Sequence, residues 1–242
     1  MEFISRRRFA VSAISVPLLA AANRGPKPKL KVVVTGGHPG DPECGCGGTV
    51  ARYTELGHEV TLLYLNRGEK WCGEHGPKDC GAVRTAEARK ACAILQAHEA
   101  YVGQIDGEAV VDPASYAQFR KQIEAENPDV VFTQWPIDGH PDHRAISMLA
   151  YDAWLRLGKK SAFYYYEVSN GEDTLMFSPT DYVDISATES KKREACYAHA
   201  SQAPERFYAL QRQVTTFRGI ESGHTQAEAF VRHVQSAGGL LP

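Results

Sequence analysis

Two short segments of the chain bring histidine and aspartate together. Residues 38–41 read HPGD, and residues 139–143 read GHPDH. Two histidines and one carboxylate that leave a coordination position open are the donor set of many catalytic zinc sites, and the same set suits non-haem iron. The residue types therefore predict a divalent metal and leave its identity open. For either segment alone, a simple turn with Pro and Asp chosen for backbone geometry is the competing interpretation.

The apolar pattern predicts the strands that position these segments. Residues 30–35 (LKVVVT), 59–65 (EVTLLYL) and 129–134 (DVVFTQ) are continuous, mostly β-branched or aliphatic runs. Such runs are typical of strands that are buried on both faces of a parallel sheet. A helix predicted over 47–56, between the first two strands, makes a βαβ unit.

Further elements alternate along the rest of the chain. We predict helices over 82–97, 116–125, 145–157 and 190–200, strands over 162–168 and 182–185, and a final helix near 227–235. The alternation predicts an α/β fold with a mostly parallel sheet and helices on both faces. Both histidine segments then follow strands, at the same edge of the sheet, where open α/β sheets bind ligands.

The composition narrows the class of protein. The chain of 242 residues has 27 basic and 29 acidic residues, a net charge of -2. This length suits one domain with a single core, placed at 30–242. The near-neutral charge disfavours general nucleic-acid binding, which requires a basic surface.

The N-terminus predicts export. Three arginines at positions 6–8 precede an apolar run over 9–22 that ends in small residues. This pattern is typical of a cleaved signal peptide and resembles a twin-arginine signal, so residues 1–22 are assigned to it. The mature protein is expected in the periplasm or outside the cell, without a stable membrane span. An uncleaved anchor is the alternative, although the run is short for one.

The six cysteines contain no Cys-x-x-Cys pair, which disfavours a zinc ribbon. Cys72 and Cys80 flank a segment rich in Gly and Pro. A bridge between them and free thiols throughout are both open alternatives, since an oxidising compartment permits disulfides.

Four separated segments resemble the PIG-L/LmbE-like deacetylases. They are 32–69, with HPGDPE, GCGG, GHEV and LNRGE, then RTAEARKACAIL at 84–95, NPDVVFTQWPIDGHPDHRA at 127–145 and DISATESKKREACYAHASQ at 184–202. The resemblance implies a single Rossmann-like domain that uses a divalent metal, usually zinc. It also implies removal of an N-acetyl group from a small-molecule or glycan substrate that contains an amino sugar.

The resemblance also implies roles for individual residues. The metal ligands fall on His38, Asp41 and His143. His140 matches a histidine that stabilises the tetrahedral intermediate, expected in its protonated form. Asp142 is expected to orient an imidazole, and Arg67 to lie near the substrate or acetate, with a surface or helix-capping arginine as its alternative. His199, in the last clear helix, is expected to be structural.

One position departs from the family pattern. The usual motif is His-Pro-Asp-Asp, with the first Asp as the general base, and this chain has Gly40 there. Asp142, Glu43 and Asp138 are candidate replacements, and water activated by the metal is another route. Two other functions stay open: a metal-dependent sugar-binding protein that has lost catalysis, and an iron-dependent oxygenase.

Overall fold

The computed structural model describes residues 28–73, 79–169 and 171–242, so the predicted signal peptide at 1–22 lies outside the described residues. The elements in chain order are β1 (Lys31–Gly36), α1 (Asp41–Glu55), β2 (Glu59–Tyr64), α2 (Cys80–Leu95), β3 (His98–Tyr101), α3 (Pro113–Glu126), β4 (Val130–Gln134), α4 (Pro141–Arg156), β5 (Ala162–Tyr166), β6 (Asp181–Asp184), α5 (Glu189–Tyr197), a 3₁₀ turn (Ala200–Gln202), α6 (Pro204–Ser222) and β7 (Ala227–Arg232).

The described strands form one seven-stranded sheet in the order β3-β2-β1-β4-β5-β7-β6. The first five strands of this order are parallel, and β7 runs antiparallel to both of its neighbours. The order 3-2-1-4-5 is that of doubly wound α/β folds. The predicted α/β class with a mostly parallel sheet is confirmed.

Alternate residues of β1 point to opposite faces of the sheet. Val32 and Val34 pack in a core with residues of α1, α2 and α5, whereas Val33 packs with residues of α3 and α4. Helices therefore cover both faces, as predicted, and β1 is buried on both sides because it lies inside the sheet.

The predicted helix near 227–235 is wrong. Residues 227–232 form β7, which is held by backbone pairing to β5 and β6. Helix α6 and strand β3 were not predicted. The buried face of α6 includes the polar residues Gln211, Thr215 and Arg218, so apolar residues do not recur there at the helical spacing. Strand β3 is only partly buried and therefore lacks a continuous apolar run.

Gly45 lets α1 approach the sheet closely. A Cβ atom at this position would lie 2.3 Å from the ring of Tyr166 on β5, and the Tyr166 hydroxyl donates to the Thr35 carbonyl over 2.8 Å. The glycine is therefore required by packing. This contact holds the first turn of α1 beside the end of β1.

No helix in the described part of the chain combines the length and the apolar character that crossing a membrane requires.

A buried ion pair joins α5, β7 and α1. Lys192 Nζ lies 2.6 Å from Glu228 Oε1, and both side chains are 1% exposed. The Glu228 carboxylate also accepts the backbone N–H groups of Gly48 and Thr49 over 2.9 Å and 2.7 Å. Buried charges of this kind are tolerated because they are paired and hydrogen-bonded.

We predict that Lys192→Met lowers the free energy of unfolding by about 3–5 kcal/mol, because it leaves the Glu228 carboxylate buried without a cation. Lys191→Met is the matched control, since its partner Glu55 is exposed and such pairs contribute only about 0–1 kcal/mol. Denaturant unfolding measures both variants. Equal losses would contradict the role given to the buried pair.

Candidate active site

The two histidine segments meet at the carboxyl edge of the sheet. His38 lies just after β1, and residues 140–143 lie where α4 begins, after β4. β1 and β4 are adjacent and parallel. Since the chain continues from β1 to β2 on one side while β4 lies on the other, the site occupies a topological switch point, where a crevice opens in sheets of this type.

Three donor atoms converge within this crevice. His38 Nδ1 and His143 Nε2 each lie 3.2 Å from the same oxygen, Asp41 Oδ2. Two ligands that are each about 2.1 Å from one tetrahedral ion stand roughly 3.4 Å apart. Each of the two contacts with Asp41 Oδ2 therefore has about the spacing of two ligands on a shared divalent ion.

The outer nitrogens of both rings contact carboxylates. His38 Nε2 lies 3.1 Å from Asp106 Oδ1 and 3.2 Å from Asp142 Oδ2, and His143 Nδ1 lies 3.0 Å from Asp138 Oδ1. Metal-binding histidines usually donate their second N–H to a carboxylate or carbonyl, which fixes the tautomer and the ring orientation. This arrangement is a second feature that fits a metal site.

Asp142 is held firmly behind His38. Its side chain is fully buried, and Oδ2 accepts the Asn66 Nδ2–H group over 2.9 Å and the Gly107 N–H group over 2.8 Å. Its Oδ1 atom is buried without a hydrogen-bond partner among the described residues. The structure thus places Asp142 where it can orient the imidazole of His38.

The three convergent groups hold opposite charges close together. Burial lowers the pKa of His38 and His143, but contacts with carboxylates outweigh it, so that the pKa of His38 lies well above its usual value and that of His143 rises to about 9. Burial raises the pKa of Asp41, but the two imidazoles hold it well below its usual value. A divalent cation held by these residues would require both imidazoles to be neutral, because ligating imidazoles carry no extra proton.

His140 lies at the N-terminus of α4, where its Nδ1 accepts the Asp142 N–H group over 3.2 Å. Burial, followed by the charges of His38 and His143, lowers its pKa. The protonated form expected from the sequence is therefore not supported. A neutral ring with its proton on Nε2 satisfies the contact at Nδ1 and still offers one N–H donor.

Two other ligand sets are geometrically available. One ligand atom each of His38, His140 and His143 lies within 4.8 Å of the other two, and the same holds for His38, Asp106 and Asp142. His140 can thus be a ligand or a hydrogen-bond donor beside the ion. The outer carboxylates favour the set His38, Asp41 and His143, because both of its rings have their second nitrogen occupied.

A cavity of about 360 Å³ opens over the convergent donors. It is lined by His38, Pro39, Gly40, Asp41, Cys44, Lys70, Trp71, Arg84, Asp106, His140, His143, Val168, Ser169, Asp173, Cys196, His199, Gln202, Pro204, Phe207 and Gln211. The cavity therefore combines polar donors at its base with aromatic and apolar side chains, as small-molecule sites commonly do.

Arg67 is not among the lining residues. Its side chain is 55% exposed and its Nε lies 3.1 Å from Glu69 Oε1. The buried Arg84 lines the cavity instead, with Nη2 donating to the Pro39 carbonyl over 2.6 Å. Any contact of Arg67 with substrate stays a prediction.

Several polar residues that line the cavity, among them Arg84 and Asp106, were not predicted from the sequence. Asp106 follows β3, a strand that the apolar pattern did not indicate. Arg84 lies in a predicted helix, and the prediction of that helix depends only on its apolar residues. The sequence did contain one indication of Asp106. Polar residues that follow the strands of a parallel sheet all lie at the carboxyl edge of that sheet, where ligands bind.

Gly40 adopts a backbone conformation that favours glycine. Its φ is 107° and its ψ is -30°, and its N–H group donates to Glu43 Oε2 over 3.1 Å. An aspartate in such a conformation is strained by about 1–3 kcal/mol. Replacing Gly40 by Asp therefore adds a carboxylate only together with a loss of stability.

Two pairs of cysteines have their sulfur atoms close together. Cys72 and Cys80 form a disulfide, so the bridged alternative is confirmed. Cys44 and Cys196 are free thiols with their sulfur atoms 3.3 Å apart, and both line the cavity.

The fold and the site define a class of α/β protein, with a candidate metal site of two histidines and one aspartate at the switch point of a doubly wound sheet. The family model described as PIG-L: GlcNAc-PI de-N-acetylase matches residues 33–154, which are 122 of the 242 residues. The chain belongs to this family.

The chain is also similar to individual proteins of known sequence or structure. The chain is 28% identical over 217 residues to the diacetylchitobiose deacetylase of Thermococcus kodakarensis, covering 82% of this chain and 81% of that protein. It is similar to the conserved protein TT1542 of Thermus thermophilus, with a TM-score of 0.75, 28% identity and coverage of 88% and 99%. The 4-carboxy-2-hydroxymuconate hydratase GalB of Pseudomonas putida, at 20% identity, a TM-score of 0.76 and coverage of 88% and 100%, shares the fold.

We predict that replacing His38, Asp41 or His143 by Ala removes most of the bound metal, because a site with three protein ligands has no spare donor. His140→Ala is the matched control from the same segment and should retain the metal. Metal analysis of the purified variants measures this. Loss of metal in His140→Ala together with retention in His143→Ala would reverse the roles of the two histidines.

Proposed function

We propose that this protein is a metal-dependent hydrolase that removes an N-acetyl group from a substrate containing an amino sugar. The observation that carries the proposal is the convergence of His38, Asp41 and His143 on one point, with His140 beside it at the base of the cavity. This is the donor set of a metal that acts on a carbonyl group.

The family description and the similar proteins support the chemistry. The family model is named for a de-N-acetylase of a GlcNAc lipid, and the Thermococcus relative acts on diacetylchitobiose. Both substrates carry an acetylated amino sugar. Zinc is the proposed metal, and another divalent metal with the same preference for nitrogen and oxygen ligands is the alternative.

The residues of the chain have distinct parts in the proposed reaction. A bound divalent ion would be held by His38, Asp41 and His143, would polarise the acetyl carbonyl and would lower the pKa of a water molecule. His140 donates its Nε2–H group to the carbonyl oxygen as negative charge develops there. Asp106, Asp138 and Asp142 keep the imidazoles oriented. Water adds to the carbonyl carbon, the C–N bond breaks, and acetate and a free amine leave.

None of the three carboxylates proposed from the sequence as the missing base lines the cavity. Asp138 and Asp142 contact the outer nitrogens of His143 and His38, and Glu43 is fully buried. Gly40 is also the feature that favours a sugar-binding protein without catalysis. The complete set of convergent donors together with His140 favours the hydrolase.

We predict that the zinc-loaded protein releases acetate and an equal amount of free amine from N-acetylglucosamine, its oligomers or cell-wall fragments. His140→Ala should lower kcat by about 10²–10³-fold, the usual effect of removing one oxyanion donor, while metal content is unchanged. Acetate release and metal analysis on the same samples measure this. Binding of the sugars without any acetate release would favour the binding protein instead.

We further propose that the protein is exported through a twin-arginine-type signal at residues 1–22. The three arginines at 6–8 and the apolar run that follows them support this. The expected result is a mature chain that begins near Ala22 or Asn23 in the extracytoplasmic fraction, measured by N-terminal sequencing. Soluble cytoplasmic protein that retains Met1 would contradict export.

A further inference from the structure

His199 lies at the wall of the cavity, outside the segments that carry the candidate metal ligands. It follows α5 and caps the short 3₁₀ turn at Ala200–Gln202. The residue is 2% exposed, and it lines the same cavity as His38 and His140. His199 is therefore a buried imidazole of the cavity wall that does not belong to the segments with the candidate metal ligands.

The ring of His199 packs directly against Gly40. A Cβ atom at residue 40 would lie 3.7 Å from its Cδ2 and Cγ atoms and 3.9 Å from its Nδ1 atom. The imidazole therefore lies beside the space that a side chain at position 40 would occupy. Residue 40 immediately precedes Asp41, so this place is next to the convergent donors.

Glu43 determines which nitrogen of His199 carries the proton. His199 Nε2 lies 2.9 Å from Glu43 Oε1, which also accepts the Tyr64 hydroxyl over 2.7 Å, and Glu43 Oε2 accepts the Gly40 N–H group over 3.1 Å. A carboxylate surrounded by donors accepts from Nε2–H. A neutral His199 therefore has its lone pair on Nδ1.

The Nδ1 atom of His199 has no hydrogen-bond partner among the described residues. A buried polar atom without a partner costs about 1–3 kcal/mol. Such atoms in a native fold call for a water molecule or a catalytic role.

We propose that His199 is the general base of the reaction and that Glu43 is its positioning residue. Nδ1 accepts a proton from the attacking water as the new C–O bond forms at the acetyl carbon. The proton then passes to the amine nitrogen as the C–N bond breaks, which restores neutral His199. No oxidant or further reactant is needed, and acetate and the amine are the only products. This inference rests on the proposed deacetylase function.

Two other carboxylates line the cavity and could accept a proton. Asp106 is engaged by His38 Nε2 and by the Lys70 N–H group. Asp173 is partly buried, and burial, followed by the charges of Asp138 and Asp41, raises its pKa. Asp173 is therefore the competing base. His199 is favoured because it adjoins Gly40 and has a carboxylate that fixes its tautomer.

The test compares His199→Gln with Asp173→Asn in the zinc-loaded protein. The amide of Gln can still donate to Glu43 but cannot take a proton, so kcat should fall by about 10²–10⁴-fold, the usual contribution of a general base, with KM and metal content nearly unchanged. Asp173→Asn, at the competing base, should lower kcat much less than His199→Gln does. Loss of metal in His199→Gln, an unchanged kcat, or a large loss confined to Asp173→Asn would overturn the proposal.

Chemical rescue separates a base from a structural residue. Added imidazole should restore part of the kcat of His199→Ala with increasing concentration, because the truncated side chain leaves room beside Gly40. Added imidazole should not restore the kcat of His140→Ala. The same variant shows whether imidazole inhibits the protein by binding to the metal. Glu43→Gln should lower kcat without changing KM. Absence of rescue in a folded, metal-loaded His199→Ala protein would overturn the proposal.

The two proposals fail in different ways. A parent protein that releases no acetate from any N-acetylated sugar contradicts the deacetylase function and this inference with it. A parent protein that is active, with a His199→Gln variant equally active, contradicts the inference alone.

Discussion

The candidate metal site depends on contacts that the rings of His38 and His143 make at both of their nitrogen atoms. One nitrogen of each ring faces Asp41, and the other is held by a buried carboxylate, Asp106 or Asp142 in the first case and Asp138 in the second. The outer contacts remove the freedom of the rings to rotate, so that the inner atoms are already directed at one point. A buried cluster of carboxylates and imidazoles is stable only when its charges are balanced. Protons supply that balance in the metal-free protein, and a divalent ion supplies it in the proposed enzyme.

The fold assembles these contacts from distant parts of the chain. Parallel pairing of β1 with β4 brings the loops that follow them to one edge, and the loop after β3 reaches the same edge with Asp106. Close packing of α1 on Tyr166 at Gly45 fixes the helix that begins with Asp41. The buried pair of Lys192 and Glu228 ties α5 to α1 and β7, and the chain that leaves α5 carries His199 to the cavity. The core and the site are therefore parts of one arrangement.

Local sequence was enough to predict the first strands, the class of fold and the segments that contain His38, Asp41, His140 and His143. It predicted these because buried parallel strands are continuous apolar runs and because each motif directly follows one. It failed at β7, where the buried Glu228 is paired with Lys192, and at α6, where Gln211, Thr215 and Arg218 are buried. It also missed Asp106, and it did not place His199, expected to be structural, in the cavity wall beside Gly40. Such contacts depend on tertiary packing, which the spacing of apolar residues along the chain does not reveal.

One divalent ion held by His38, Asp41 and His143 is the claim on which the proposed chemistry depends. Crystals of the zinc-loaded protein, measured on both sides of the zinc absorption edge, locate the ion without reference to activity. We predict a single anomalous peak in the cavity within bonding distance of His38 Nδ1, His143 Nε2 and an Asp41 oxygen, about 2.0–2.2 Å, with His140 Nε2 unbound. A peak between His38, Asp106 and Asp142, or one ligated by His140 in place of Asp41, would contradict it.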